Sequence, residues 1–270
     1  MVEKLPTEAM VMFDIDGTIA ASKSAITKDM AEALCTLSHY KKIAIISGGT
    51  WEQFLEQIIN HLPESTHVEN MYMLPTSGTR LYVNVDGHWE QEYAELLSDE
   101  EARLIKESLY NAVNIVMPHI ETLYGEQIEN RGTQISLSLL GQNAPLVAKE
   151  ICDPNQEIRK KIVALVEKPL HNFEVRIGGM TTIDVTKKGM DKGYGIQKLC
   201  TSIEASLSDI VYIGDALFEG GNDYAAKKIG LRSIEVKNEH ETLEMLQKWN
   251  SEHAKRNGFW KFFFDIRDMF

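Results

Sequence analysis

The sequence predicts an α/β fold: a doubly wound parallel-sheet core interrupted by an inserted α+β block. Two observations carry that expectation. Short apolar runs at 9–13, 42–46 and 210–213 each end in polar or glycine residues, and each is followed by a helical pattern. That alternation is the signature of strands buried on both faces of a parallel sheet. Between them, roughly 86–186, the pattern changes to hairpins and longer amphipathic helices. The 270 residues suffice for one large unit or two modest ones.

The elements follow in order. "AMVMF" (9–13) is a short apolar strand ending at Asp14. Residues 27–39 place Met30, Leu34 and Leu37 on one helix face. "KIAIISGG" (42–49) is a second strand, and Thr50 can cap the helix read from "TWEQFLEQIINHL". "TRLYVNVDGHWEQEY" (79–93) predicts a hairpin turning at Asp86-Gly87. Ser98 with Glu101 forms a capping box for a helix over 98–117. Strand-like alternation at 133–141, a helix at 154–168 and strand character at 172–186 complete the insert, and "DIVYIGD" resumes the parallel pattern. The expected division is a core of 1–85 and 187–270 around an insert of 86–186.

Bulk properties exclude several classes. A formal charge of -12 argues against general nucleic-acid binding, which needs a basic footprint. No stretch approaches the ~18 apolar residues of a membrane span. The opening "MVEKLPTEAM" lacks the apolar length of a signal peptide, and Cys35, Cys152 and Cys200 are few and widely spaced. A cytoplasmic protein is therefore expected. The scattered histidines show no zinc spacing.

In an open parallel sheet, ligands sit at the carboxyl ends of the strands, where three polar clusters of this sequence fall. Asp14 and Asp16 stand two residues apart, with Gly17 permitting a sharp turn. A calcium loop is excluded, because the sixth position is Ile19 and the twelfth Ala25. A plain strand-end turn is one reading. The other is a carboxylate nucleophile, Asp14, beside a general acid/base, Asp16. Ser47 and Gly48 offer a hydroxyl and backbone N–H groups at a helix start, suited to phosphate. "GDALFEGGND" adds Asp215, Asn222 and Asp223. A carboxylate attacking a phosphoryl group meets charge repulsion that Mg²⁺ would remove, with Asp14 and Asp215 as natural ligands. "TKKGMDKGYGI" supplies Lys187, Lys188 and Lys192, one of which could neutralise the phosphoryl group or hold Asp14.

The order D-x-D-G-T, strand-Ser-Gly, Lys, then G-D-x7-N-D resembles the haloacid dehalogenase superfamily, whose core is Rossmann-like. Within it, "GMDKGYGI", "GDALFEGGND", "IENRGTQISLS" and "IGGMTTIDV" resemble segments of the eukaryotic-type phosphomannomutases. The resemblance implies that the insert is a cap domain governing substrate specificity. It implies an aspartyl-phosphate on Asp14, proton transfer by Asp16, and phosphoryl binding by Ser47 and Lys192. Mg²⁺ would be held by Asp14, the Asp16 carbonyl and Asp215, supported by Asn222 and Asp223. In the cap, Arg131, Thr182 and Asp184 match positions that hold a sugar phosphate. Gln142 stands where that family has a second cap arginine, Lys149 is the nearest candidate for a third, and Lys23 replaces an arginine after the first motif. Lysine does not reproduce arginine's bidentate fork. Two reactions follow as expectations: phosphomannomutase-type transfer on a hexose phosphate, or hydrolysis of a sugar phosphate at the same site. A silent phosphosugar sensor is disfavoured by the intact nucleophile and acid/base. The partner is a small phosphorylated sugar; the aromatic tail "NGFWKFFFDIRDMF" reads as a last helix packed on the core or on a second copy, making a homodimer.

Overall fold

The computed structural model describes residues 3–120 and 122–267, with side chains described through residue 256. In chain order the elements are β1 (Met10–Phe13), α1 (Lys28–Ser38), β2 (Lys42–Ile46), α2 (Trp51–Gln57), β3 (Met71–Leu74), the short turn α3 (Pro75–Gly78), β4 (Arg80–Val85) and β5 (His88–Ala94). There follow α4 (Asp99–Val116), β6 (Ile128–Asn130), β7 (Gln134–Ser138), α5 (Leu146–Cys152), α6 (Glu157–Val166), β8 (Phe173–Gly178) and β9 (Thr182–Lys187). The chain closes with α7 (Lys192–Ser202), β10 (Ile210–Gly214), α8 (Tyr224–Lys228), β11 (Arg232–Glu235) and α9 (Glu239–Arg267). Two compact units result: 1–93 with 192–270, and 94–191.

The first unit is built on a seven-stranded sheet in the order β11-β10-β1-β2-β3-β4-β5. The five strands from β11 to β3 run parallel. Four of them, β10, β1, β2 and β3, feed both faces. Val11 and Phe13 enter a cluster with Leu34, Ile45 and Trp249, whereas Met10 and Met12 enter another with Ile196, Leu199 and Tyr212. Double-sided burial explains why these strands read as continuous apolar runs. Strand β4 joins the sheet antiparallel to β3, and β5 follows it at the edge. Asp86 and Gly87 turn that hairpin with φ of 52° and 85°, as a primed turn demands. The hairpin thus belongs to the first unit up to Tyr93, and the boundaries fall at 93/94 and 191/192 where the sequence suggested 85/86 and 186/187.

Some helices differ from their expected lengths. The helix expected to run to Leu62 ends at Gln57 and gives way to a 3₁₀ turn at Ile59–His61, ahead of Pro63. In the second unit the helix expected at 154–168 begins at Glu157, because the Asp153 carboxylate accepts the backbone N–H groups of Ile158 and Arg159. Helix α5 and strands β3 and β11 are further elements beyond the sequence reading. The Ser98–Glu101 capping box is formed as expected. The side chains of the aromatic tail lie outside the described residues.

The second unit is a four-stranded antiparallel sheet, β6-β7-β9-β8, with α4 and α6 on one face. Ile135, Leu137, Ile183 and Val185 point into that helical core. Period-two alternation puts Gln134, Ser136, Ser138, Thr182, Asp184 and Thr186 on the other face. Arg159 is fully buried here, paired with Asp153 at 2.9 Å and donating to the carbonyls of Gly178 and Gly179. It fixes the turn between β8 and β9.

Candidate active site

The site starts from strand ends. Parallel pairing sets Phe13 beside Ile45 and Ile213, so Asp14, Ser47 and Asp215 leave the sheet at one carboxyl edge. Asp14 is 2% exposed, and its backbone N–H still donates to the carbonyl of Ile213. Beyond it the chain bends sharply. Gly17 has φ of +78°, and a Cβ there would come within 2.7 Å of Asp215 Oδ2. Glycine is required twice over, by conformation and by space. Gly17→Ala is expected to push Asp215 aside and weaken divalent-cation binding at least tenfold, with the fold kept, as isothermal titration with Mg²⁺ would show.

One lysine organises the centre. Lys192, at the start of α7, donates from Nζ to Asp14 Oδ1 at 2.6 Å and to Asp223 Oδ1 at 2.7 Å. It also lies 3.3 Å from the Tyr212 hydroxyl. All four groups are buried. The Tyr212 hydroxyl donates to Asp223 Oδ1, and Asp223 Oδ2 accepts the N–H of Ala216. Both Asp223 oxygens are therefore engaged. Lys187 and Lys188, the other candidates in that segment, lie in the second unit, bonded to the carbonyls of Leu96 and His171.

Burial dominates the electrostatics. It pushes Asp14 up from 3.8 to about 7, against the opposing charge of Lys192 and with added repulsion from Asp223. Lys192 moves upward, because Asp14 and Asp223 outweigh the burial that would depress it. Burial also raises Asp215, reinforced by Asp223. Asp223 goes the other way: burial would raise it, but Lys192 and its hydrogen bonds hold it ionised.

A cation site is consistent with this donor set. Carboxylate oxygens of Asp14, Asp215 and Asp223 lie within 4.8 Å of one another. Only hard oxygen ligands are offered, as Mg²⁺ prefers. Since Asp223 is committed to Lys192, Tyr212 and Ala216, Asp14 and Asp215 are the better ligands. The Thr18 hydroxyl reaches Asp215 Oδ1 at 3.5 Å.

The remaining expected residues divide between the units. Asp16 pairs with Ala20 in an isolated bridge, and its Oδ1 accepts the Lys23 backbone N–H at 2.6 Å. The Lys23 backbone, not its exposed ammonium, makes that bond. Ser47 is buried, and its hydroxyl accepts the Gly49 N–H at 3.4 Å, with Gly48 between them. Asn222 is exposed beside Asp223. In the second unit, Arg131 donates to Glu129 at 2.7 Å, Lys149 to the Gln142 carbonyl at 3.4 Å, and Asp184 accepts the Ser136 hydroxyl at 2.7 Å. Thr182 is half-buried on the same face as Asp184. Tyr212 and Thr18 went unnoticed in the sequence. A signal existed for Tyr212: it is the one hydroxyl inside the run "DIVYIGD".

A buried Asp-Lys-Asp centre at the carboxyl edge of a parallel sheet, with a second α+β unit inserted, defines the haloacid dehalogenase-like class. Solved structures share this fold. A haloacid dehalogenase-like hydrolase from Bacteroides thetaiotaomicron superposes with TM-score 0.61 at 13% identity, covering 90% of this chain and 99% of that one. ATP-bound Plasmodium falciparum IMP-nucleotidase gives 0.68 at 16%, covering 90% and 60%. The family is narrower. Residues 30–248 match the model of eukaryotic phosphomannomutase, and the chain belongs to that family. It is 30% identical over 232 residues to a phosphomannomutase of Arabidopsis thaliana, spanning 83% of this chain and 88% of the relative. To the Dendrobium officinale phosphomannomutase it is 29% identical over 221 residues, spanning 80% and 83%.

Proposed function

We propose that this protein catalyses Mg²⁺-dependent phosphoryl transfer on a hexose phosphate through an aspartyl-phosphate, interconverting mannose 6-phosphate and mannose 1-phosphate. The observation that carries this reading is the 2.6 Å contact between Lys192 Nζ and Asp14 Oδ1 in a chain of this family. With Oδ1 held, Oδ2 is the attacking oxygen. It forms a bond to phosphorus as the bond from phosphorus to the sugar oxygen breaks. Asp16, oriented by the Lys23 N–H, gives its proton to that leaving oxygen and later takes one from the acceptor hydroxyl. Ser47, Gly48 and Lys192 hold the phosphoryl oxygens. Asp14, the Asp16 carbonyl and Asp215 would hold the cation, supported by Asn222 and Asp223; when bound, Mg²⁺ would screen the carboxylates from the phosphoryl group and keep Asp14 ionised. The second unit acts as the specificity cap, with Arg131, Lys149, Thr182 and Asp184 recognising the sugar phosphate. Cys35, Cys152 and Cys200 are free thiols, and among the described residues no helix is long and apolar enough to cross a membrane. A cytoplasmic setting, with a homodimer as the assembly, completes the reading.

A second reading is hydrolysis of the phospho-enzyme by water. It is favoured by Arg131 already being paired with Glu129 and by Gln142. Incubation with Mg²⁺ and mannose 1-phosphate, with and without a hexose 1,6-bisphosphate, separates the two by phosphorus NMR. Bisphosphate-dependent formation of mannose 6-phosphate is expected. Inorganic phosphate as sole product would replace the mutase with a phosphatase.

A further inference from the structure

The polar face of the second unit's sheet carries a cation that the motifs do not predict. Strand register sets Glu129, Ser136, Asp184 and Arg176 in one row across the four strands. Residues directly opposite one another share a face, and the Ser136–Asp184 hydrogen bond of 2.7 Å runs along that row. Among the described residues of the four strands, Arg176 is the one basic side chain on this face. Lys187, the other basic residue in these strands, pairs with Phe173 and so lies on the opposite face.

Arg176 is half-buried, and its two ion pairs are long. Nη1 donates to the Met190 carbonyl at 2.9 Å, while Glu174 and Asp191 stand 3.6 and 3.8 Å from Nη2. The side chain is 36% exposed, against 10% for Arg131, which is locked to Glu129 at 2.7 Å. Lys149 is 7% exposed and turned to the Gln142 carbonyl. Two residues along β7 from Ser136, Gln134 presents a buried amide Nε2 without a hydrogen-bond partner, in register with Thr186 and Glu174. Hydroxyls, a carboxylate, an amide N–H and a guanidinium therefore share one face, the set that would hold sugar hydroxyls and an anionic substituent together.

We infer that Arg176 is a specificity-determining residue that, alongside Arg131 and Lys149, binds the non-reacting phosphate of a hexose bisphosphate. The inference rests on the hexose phosphate reading above. A planar guanidinium meets phosphate in a two-bonded fork, which a lysine cannot replace.

The test is equilibrium binding of a hexose 1,6-bisphosphate to the full chain carrying Asp14→Asn, which prevents turnover. Adding Arg176→Gln should weaken binding by about tenfold to a hundredfold, since a charged hydrogen-bonded pair is lost. Arg176→Lys should recover part of it, and Glu174→Gln, which removes a competing carboxylate, should tighten it. An Arg176→Gln affinity within twofold of its parent would overturn the inference and leave Arg176 as a clasp on Met190. Should the Gln variant fail to fold, unchanged affinity in both Arg176→Lys and Glu174→Gln would overturn it equally. A parent that bound no hexose bisphosphate would overturn the substrate reading and this inference together. Binding is independent of which acceptor takes the phosphoryl group, so a phosphatase outcome by NMR leaves this test standing.

Discussion

Replacing Asp14 by Asn is expected to lower turnover by roughly 10⁴-fold or more while the protein stays folded. The amide keeps the shape of the carboxylate and can still accept from Lys192, but it cannot attack phosphorus. Stability should respond in a direction set by burial. Asp14 is buried and its carboxyl is raised from 3.8 to about 7. Without metal, the folded protein keeps this proton where the unfolded chain has lost it. Wild-type stability from this group is thus fully present below about pH 4 and is lost as pH rises to about 7. Asp14→Asn has no such loss. Urea titrations in chelator should show the variant gaining on wild type through that window and holding the gain above it. Mg²⁺ should stabilise wild type at pH 8 and not Asp14→Asn, because one ligand charge is gone. Surviving turnover in carefully purified Asp14→Asn would remove the covalent intermediate from the mechanism.

Lys192→Met should give the largest loss of stability. Lys192 is the counter-charge for both Asp14 and Asp223, each buried beside it. Removing one partner of a buried pair typically costs about 3–5 kcal/mol, because the orphaned charge remains desolvated. Activity should vanish as well, since Asp14 loses the donor that orients it. The cost should grow with pH, as an unpaired Asp14 can escape by taking a proton at low pH and not at high pH. Adding Asp14→Asn to Lys192→Met should restore part of the stability and none of the activity. That double-mutant cycle isolates the Asp14–Lys192 coupling from the Asp223–Lys192 one. A simple sum of the two single effects would mean that Lys192 acts on stability through Asp223 alone.

The legible parts of this molecule are those written in short range. Apolar runs ending in Asp14, Ser47 and Asp215 declare strands and put chemistry at their carboxyl ends, because double-sided burial leaves a continuous pattern in five residues. Capping boxes at Thr50 and Ser98 mark helix starts for the same local reason. Helix ends were harder: Ile58 departs from helical geometry although apolar spacing continues to Leu62.

By itself, then, the sequence determined strands β1, β2 and β10, the change of pattern between β2 and β10, and the placing of Asp14 and Asp16 after the first strand. Resemblance pointed to Lys192 among three lysines, but only the tertiary structure bonded it to Asp14, from which it lies 178 residues along the chain. It likewise showed Asp223 to be the holder of Lys192, and set Arg176 opposite Asp184 across a strand pair. Each of these relations joins residues through packing or register, and a pattern read along one chain contains neither.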